Sequence, residues 1–537
     1  MKKPEFFLFL IVLQACGSIV VSPPLVRGAA KSPASPALPQ VPSTIPSGTL
    51  PGSVTSGSTV TLECGKEYRG TLNVSGLSSV TVTTAGTCGK AIINGAQVVA
   101  NWQAAGANLW SAPLGFVPKQ VVMEGKLLEL AHTPRVNGNP YLTVKSQSGG
   151  TLTLGGLAIN GDVIGATIRA RDTQWSMVEG TVTGGSASTI TTTGLPGGLT
   201  GWGAYLEGKR WMLDEPGEWL YENGILYIYS ATQPQAVEAT ASLAINARNA
   251  KSLTLDNIVV KNGVTNIDAS SSAGLVLKNV EVTNATDFGI DAKCATNLSM
   301  TSSSISNTGR DGLSIGYCGD TLRVDKSTFT NIGTVLMPRM TDAAIFGGYT
   351  TKMTVTGSTF TNIGYVAIWF FSGSLIDGNT INGTCVTLND CSAIYTFDRH
   401  HVGLNSIVSN NRISNVRGTL NGQLAGSGEA SYGIYLDDSS NGVTVRNNTI
   451  SGAVSGGILL HGAFNNIIEN NTFSNNTNAQ VYLSDYGFPG TVRNNIIRNN
   501  NYGAGTTYKY GVESGDNTAL WATYTGNICS AGAVGCK

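Results

Sequence analysis

Between Lys251 and Asn500 the chain repeats itself about every 23 residues, and each unit closes on a β-branched or aromatic residue, one further residue, and Asn. The units read IVVKN at 258–262, VEVTN at 280–284, SISN at 304–307, TFTN at 328–331 and 359–362, RISN at 412–415, TFSN at 472–475 and IIRN at 496–499. The wider gaps leave room for extra or longer coils. A period in the low twenties, strand-length apolar runs and Asn corners are the marks of a solenoid. Asn tolerates left-handed backbone, so it suits a tight corner. Coils stacked about 4.8 Å apart would place identical corners above one another, where their amides can hydrogen-bond as a ladder. The strand positions hold Val, Ile, Thr and Phe, and Leu-rich LxxLxL units are absent. A β-sandwich would bring strands back about every 8–12 residues without keeping one corner residue. The pattern predicts an all-β parallel β-helix.

Residues 1–16 read as an export signal. Lys2 and Lys3 precede a short apolar run from Phe6 to Leu13, too short to span a bilayer. The string Leu13-Gln14-Ala15-Cys16-Gly17 resembles the lipobox of bacterial lipoproteins, which implies lipidation at Cys16. Conventional cleavage near Gly28-Ala29-Ala30 and an uncleaved anchor through Val21 are the alternatives. All three send the chain out of the cytoplasm, and the first implies a periplasmic or cell-surface lipoprotein that touches membrane only through its lipid. Residues 17–51, with Pro33, Pro36, Pro39, Pro42, Pro46 and Pro51, read as an extended linker.

Eight cysteines remain after Cys16, and they fall into local couples: Cys64 with Cys88, Cys294 with Cys318, Cys385 with Cys391, and Cys529 with Cys536. The first two gaps are each about one coil, which brings the Cα atoms within disulfide range. Oxidising surroundings follow. No CxxC pair is present, which disfavours zinc. The formal net charge is 0. A nucleic-acid partner, which calls for a basic face, is therefore not expected.

The first coils are expected over 52–101. From 102 to 244 the repeat gives way to longer β segments that read as an inserted β-rich domain. The main helix is expected over 245–525, with a disulfide-closed cap at 526–537 covering the last rung. The strings NWQAAGANLWSAPL (101–114), KQVVMEGKLLELAHTPRVNG (119–138) and WMLDEPGEWLYENGILYIYS (211–230) resemble the inserted domain of bacterial right-handed parallel β-helix glycoside hydrolases, among them certain β-xylosidases and α-fucosidases. The resemblance implies an architecture more firmly than a substrate.

One strand aligns from coil to coil: AAIFGGY (343–349), VAIWFFS (366–372), SAIYTFDRH (392–400), YGIYLDDS (432–439), GGILLHGA (456–463) and QVYLSDY (480–486). If Ile345, Ile368, Ile394, Ile434, Ile458 and Val481 point inward, then Phe346, Trp369, Tyr395, Tyr435, Leu459 and Tyr482 point outward. An outward aromatic stripe suits stacking on sugar rings, unless a loop or the inserted domain covers it. Asp398, Arg399, His400, Asp437, Asp438, His461 and Asp485 gather at the end of this strand, and Asp342, Asp390 and Glu429 at its start.

Glycoside hydrolysis needs two carboxyl groups, one to protonate the leaving oxygen and one to attack or to activate water. Asp398 and Asp438, one coil apart, would lie about 5 Å apart, as in a retaining pair. Asp342 and Asp390, two coils apart, would lie about 9–10 Å apart, nearer the inverting range. The resemblance adds that DCSAIY (390–395) and GIYLDD (433–438) look like motifs near the family's catalytic acids. Asp390, Asp437 and Asp438 therefore lead, followed by Asp398 and Glu429, with Trp369, Tyr395, Tyr435, Tyr482, Arg399, His400 and Asp342 as substrate contacts.

A lyase or C5-epimerase acting on a uronic-acid polymer is the second reading, with His461, Tyr435, Arg399 and His400 as its proton-transfer and charge-neutralising groups. No DPHD-like string supports it, and the polygalacturonase pattern is missing. A non-catalytic glycan-binding scaffold is the third. The expected partner in all three is a polysaccharide or oligosaccharide met by a monomer. No cofactor is expected: the Asp cluster would suit Ca²⁺, but the nonapeptide repeat of Ca²⁺-binding β-rolls is absent.

Overall fold

A computed structural model describes residues 46–135, 139–316, 318–336, 342–513 and 517–537. The leader, Cys16 and the linker as far as residue 45 lie outside the described residues.

Each coil makes three short strands. In the coil that starts at Ile245 they are Ile245–Asn246, Thr254–Asp256 and Ile258–Lys261. Stacking joins equivalent strands into three parallel sheets, here called front, flank and rear, of 12, 13 and 14 strands among the described residues. Alternation decides what is buried. In Ile258–Lys261, Ile258 and Val260 face the interior while Val259 and Lys261 are partly exposed. The front sheet runs in strict register: Ile345, Ile368, Ile394, Ile434, Ile458 and Val481 form one fully buried column, as the alignment requires. Like side chains also stack inside, as with Phe329 on Phe360 at 5.0 Å between ring centres. These parallel ladders are those of a right-handed parallel β-helix.

The corners explain the repeat. Asn262, Asn284, Asn307, Asn331, Asn362, Asn415 and Asn475 all have φ between 55° and 59° and stand where the rear strand ends. Their amides form the expected ladder, with Asn331 donating to Asn307 at 2.9 Å and Asn362 to Asn331 at 2.8 Å. Asn499 does not belong to this column. It follows the flank strand Asn495–Arg498 and stands with Asn447 and Asn470 at the flank-to-rear corner. Both corners need left-handed backbone, so both select Asn, and sequence alone merges them. A second ladder runs beside that corner through Asn379, Asn411, Asn448, Asn471 and Asn500, with Nδ2 to Oδ1 distances of 2.9–3.0 Å, and all five side chains are buried.

The insertion leaves the stack unbroken. Ile245 pairs with Leu72, Thr254 with Thr81 and Ile258 with Ala91, so the coil before the insertion lies directly under the coil after it. Between them the chain forms antiparallel sheets, the first pairing joining Gln97–Val98 to Glu238–Ala239. At the other end the rear sheet runs on to Ile528–Cys529. The four cysteine couples are disulfides, with Cα separations of 5.5, 4.5, 5.9 and 6.4 Å in chain order. Among the described residues no helix is long and apolar enough to cross a membrane.

Candidate active site

The front sheet is where coils stop being alike. Its outward column reads Asp268, Asp291, Ser314, Phe346, Trp369, Tyr395, Tyr435, Leu459, Tyr482 and Lys509. The aromatic part is not the open platform expected. Tyr395 and Tyr435 are only 7% and 5% exposed, and Trp369 and Tyr482 are partly buried. The rings meet edge to face rather than presenting flat faces: Trp369 and Tyr395 are 4.7 Å apart at 80°, Tyr395 and Tyr435 5.3 Å apart at 85°. Edge-to-face packing satisfies the ring quadrupoles within the protein and leaves the hydroxyls as the chemically active ends.

Those hydroxyls reach a polar cluster at the strand ends. Tyr395 donates to Asp437 Oδ2 at 2.7 Å. Asp437 Oδ1 lies 2.6 Å from His461 Nδ1 and also accepts the Asp438 N–H at 2.8 Å. His461 Nε2 lies 2.8 Å from the Tyr486 carbonyl. Both ring nitrogens thus face acceptors, so the ring is held as imidazolium. Burial works against that charge, but Asp437 overrides it and the His461 pKa is pushed up to about 9. In return, although burial opposes its charge, Asp437 is held below the ordinary carboxylate value by His461 and Tyr395. Arg399 hydrogen-bonds Asp438, whose pKa burial and Asp437 nonetheless raise.

Asp390 completes the cluster from the strand start. It is partly buried, with φ of 51°, and Tyr435 beside it favours the ionised form of its carboxyl. Burial and the Asp437 charge push it up to about 7. The Tyr435 hydroxyl also comes within 3.5 Å of His461 Nδ1, so Tyr435 stands between the two halves of the cluster.

The other candidates separate. Asp398 accepts the N–H groups of Val402 and Gly403 and the Asn441 amide at 2.8–3.1 Å. That carboxylate caps a turn, so its oxygens are committed to those donors. Asp485 likewise caps, accepting Glu513 N–H at 2.7 Å. Asp342 is buried two coils away beside Arg310 at 3.5 Å, where burial and the Asp311 charge push its pKa up. Glu429 is exposed on the loop before Ser431–Asp437. His400 is exposed and packs near Tyr349 at 5.9 Å.

A family profile for the right handed beta helix region matches residues 224–381 and 319–536, more than half of the chain. The chain belongs to the right-handed β-helix family. No curated protein matches it. Among solved structures, this β-helix is similar to one named "Glycoside hydrolase", at 12% identity, covering 78% of this chain and 89% of that one, with a TM-score of 0.58. It is also similar to XylC in complex with xylose, at 12% identity and a TM-score of 0.44, over 87% of this chain and 81% of that one. The A-module of Azotobacter vinelandii mannuronan C-5 epimerase AlgE6 is 14% identical, with a TM-score of 0.29, over 54% of this chain and 78% of that one.

Two tyrosines of the β-helix cluster escaped the sequence reading. Tyr365 donates to the Asp390 carbonyl at 2.7 Å, and it stands one residue before the aligned segment at 366–372. Tyr432 packs on Tyr435 at 5.3 Å. Asp437, Asp438 and His461 also offer donor atoms within 4.8 Å of one another. A cation would have to displace the proton that His461 holds against Asp437.

Proposed function

We propose that the protein hydrolyses glycosidic bonds in a polysaccharide or oligosaccharide, with Asp390 as proton donor and Asp437 as its ionised partner. One observation carries the reading: two carboxyls of one cluster have protonation states pushed apart, Asp390 towards the acid and Asp437 towards the carboxylate. That division matches the two roles glycoside cleavage needs. Asp390 delivers its proton to the leaving oxygen. Asp437 stabilises and captures the cationic sugar carbon, directly or through water. His461 and Tyr395 hold Asp437 ionised and oriented, and Arg399 holds Asp438. The reaction needs no cofactor, and chelators are expected to leave turnover unchanged.

A uronate lyase or epimerase is the second reading, favoured by the Asp437–His461–Tyr435 string with Arg399 nearby. An imidazolium pinned between two acceptors is a poor proton abstractor near neutral pH, which places this reading second. We also infer that the protein works outside the cytoplasm, where its four disulfides persist, and that Cys16 carries a lipid. Loss of palmitate labelling in Cys16→Ser tests the lipid.

The deciding experiment incubates the protein with neutral and uronic-acid polysaccharides, following reducing ends together with the ultraviolet absorbance of unsaturated uronates. Reducing ends alone, abolished in Asp390→Asn, are the expected result. Absorbance rising with them overturns the hydrolase in favour of a lyase.

A further inference from the structure

The Asp390 loop is held from outside the β-helix. Thr387, Asn389 and Asp390 lie between Cys385 and Cys391, which are joined by a disulfide and fully buried. Opposite them stands the end of the hairpin that joins Thr167–Arg171 to Met177–Ser186 in the inserted domain. Arg171, with no exposed surface, donates to the Thr387 carbonyl at 2.7 Å and to the Gln174 carbonyl at 3.1 Å. The Gln174 carbonyl also accepts the Asn389 N–H at 3.1 Å, and Gln174 Oε1 accepts Asn389 Nδ2 at 2.8 Å. Asn389, fully buried, uses its remaining capacity on the second loop, donating to Gly428 O at 2.9 Å and accepting Ala430 N–H at 2.8 Å.

That second loop is itself fastened to the insertion. Gly203 N–H donates to Gly422 O at 2.8 Å, and a Cβ built on Gly203 would sit 2.4 Å from Gly422 Cα. Two backbones touch there, which only glycine permits. Gln423 Nε2 adds a bond to the Gln174 carbonyl at 3.2 Å. Burying a guanidinium to hold main-chain carbonyls is costly, so a merely covered surface does not account for Arg171.

We propose that the inserted domain is a working part of the active site, in which Arg171 and Gln174 are positioning residues that fix the loop carrying Asp390. The proposal rests on the reading of Asp390 as the proton donor. Misplacing a catalytic group by about 1 Å costs on the order of 100-fold in rate, and Asp390 is the last residue of a loop that the insertion holds at Thr387 and Asn389. The groups whose charges bear on Asp390 are Asp437, Asp438, His461, Tyr365, Tyr432 and Tyr435. None of them belongs to the insertion, whose hold on the loop is the hydrogen bonding of Arg171 and Gln174 to Thr387 and Asn389.

The test is Gln174→Ala and Arg171→Met in the full chain, with kcat and KM measured across pH, beside Asp390→Asn. The Asp390 carboxyl is titrated directly by NMR on ¹³C-aspartate-labelled protein, its signal identified by its loss in Asp390→Asn. The expected result is a kcat lower by roughly 10- to 100-fold at nearly constant KM, with the alkaline limb and the Asp390 titration both moving to lower pH as water enters. Gln174→Ala keeps the question decidable where Arg171→Met does not fold. Unchanged kcat and an unchanged Asp390 titration in a folded variant overturn the proposal. So does a kcat loss without movement of the limb, which is a structural effect. If Asp390→Asn itself retains turnover, the proton-donor reading fails instead, and the titration still reports whether the insertion sets the environment of Asp390.

Discussion

The rear corner and the front sheet are built from the same coils and follow opposite rules. At the rear corner every coil needs the same thing, a left-handed residue with an amide that can bond above and below, and Asn recurs until the repeat is visible by eye. On the front sheet the inward column is just as uniform, but the outward residue changes from carboxylate through aromatic to lysine. Repetition identifies the scaffold, and departure from repetition identifies the chemistry. The Asn ladders should therefore govern stability with little effect on turnover per folded molecule, and the Asp390–Asp437 cluster the reverse.

The largest effect expected is on turnover. Asp390→Asn should lower kcat at least 1,000-fold, on the scale of general acid catalysis, without lowering Tm. A variant that lost activity only in proportion to lost folded protein would erase the contrast. The pH dependence sharpens it. Activity needs Asp390 protonated and Asp437 ionised, so the rate should fall as pH rises through about 7 and fall again only below the ordinary carboxylate range. For stability, folding raises Asp390 from 3.8 to about 7, which favours the folded state below the unfolded value and is lost as pH rises through 7. Asp390→Asn cannot ionise. It should match the wild type at pH near 4 and exceed it near 8 by roughly 2 kcal/mol, after allowance for the solvent the group partly faces. Thermal unfolding at the two pH values checks the sign.

The buried ladder should give the largest stability loss. The Asn448 side chain accepts the Asn411 N–H and amide and donates to Val408 O, Arg446 O and Asn471 Oδ1, all at 2.9–3.0 Å. Asn448→Ala leaves several of these buried partners unmet, at a cost of about 3 kcal/mol. Denaturant unfolding measures the loss, and kcat per folded molecule should not change.

This difference also sets what was legible. The fold, the front-sheet register and the first two disulfide pairs follow from periodicity, because stacking forces equivalent residues into columns, while the other two pairs join cysteines already close in sequence. The cluster was legible as far as Asp390, Asp437, Asp438 and His461, since unusual polar residues on a regular strand stand out. The direction a carboxylate takes was not. Asp398 and Asp438 are register neighbours, yet the turn after Asp398 offers two N–H groups that claim its oxygens. Nor did strand alternation foretell that Tyr395 and Tyr435 would be buried on their outward side, or that Arg171 and Gln174, more than 200 residues before Thr387 and Asn389, would meet that loop.

The smallest effect separates two reasons for Asn at the rear corner. Asn331 has φ of 56°, donates to Asn307 and accepts from Asn362. Gly383 and Gly452 take left-handed backbone near the ends of other rear strands, with φ of 77° and 68°, so the backbone need can be met without an amide. Asn331→Gly keeps the left-handed turn and loses only the ladder bonds, which face solvent in part, so it should cost under about 1 kcal/mol. Asn331→Ala loses the bonds and also strains the backbone, adding roughly 1 kcal/mol. Equal losses in the two variants would mean that the ladder, not the turn, selects Asn. A negligible loss in Asn331→Gly beside a clear one in Asn331→Ala would mean that backbone conformation alone wrote the repeat into the sequence.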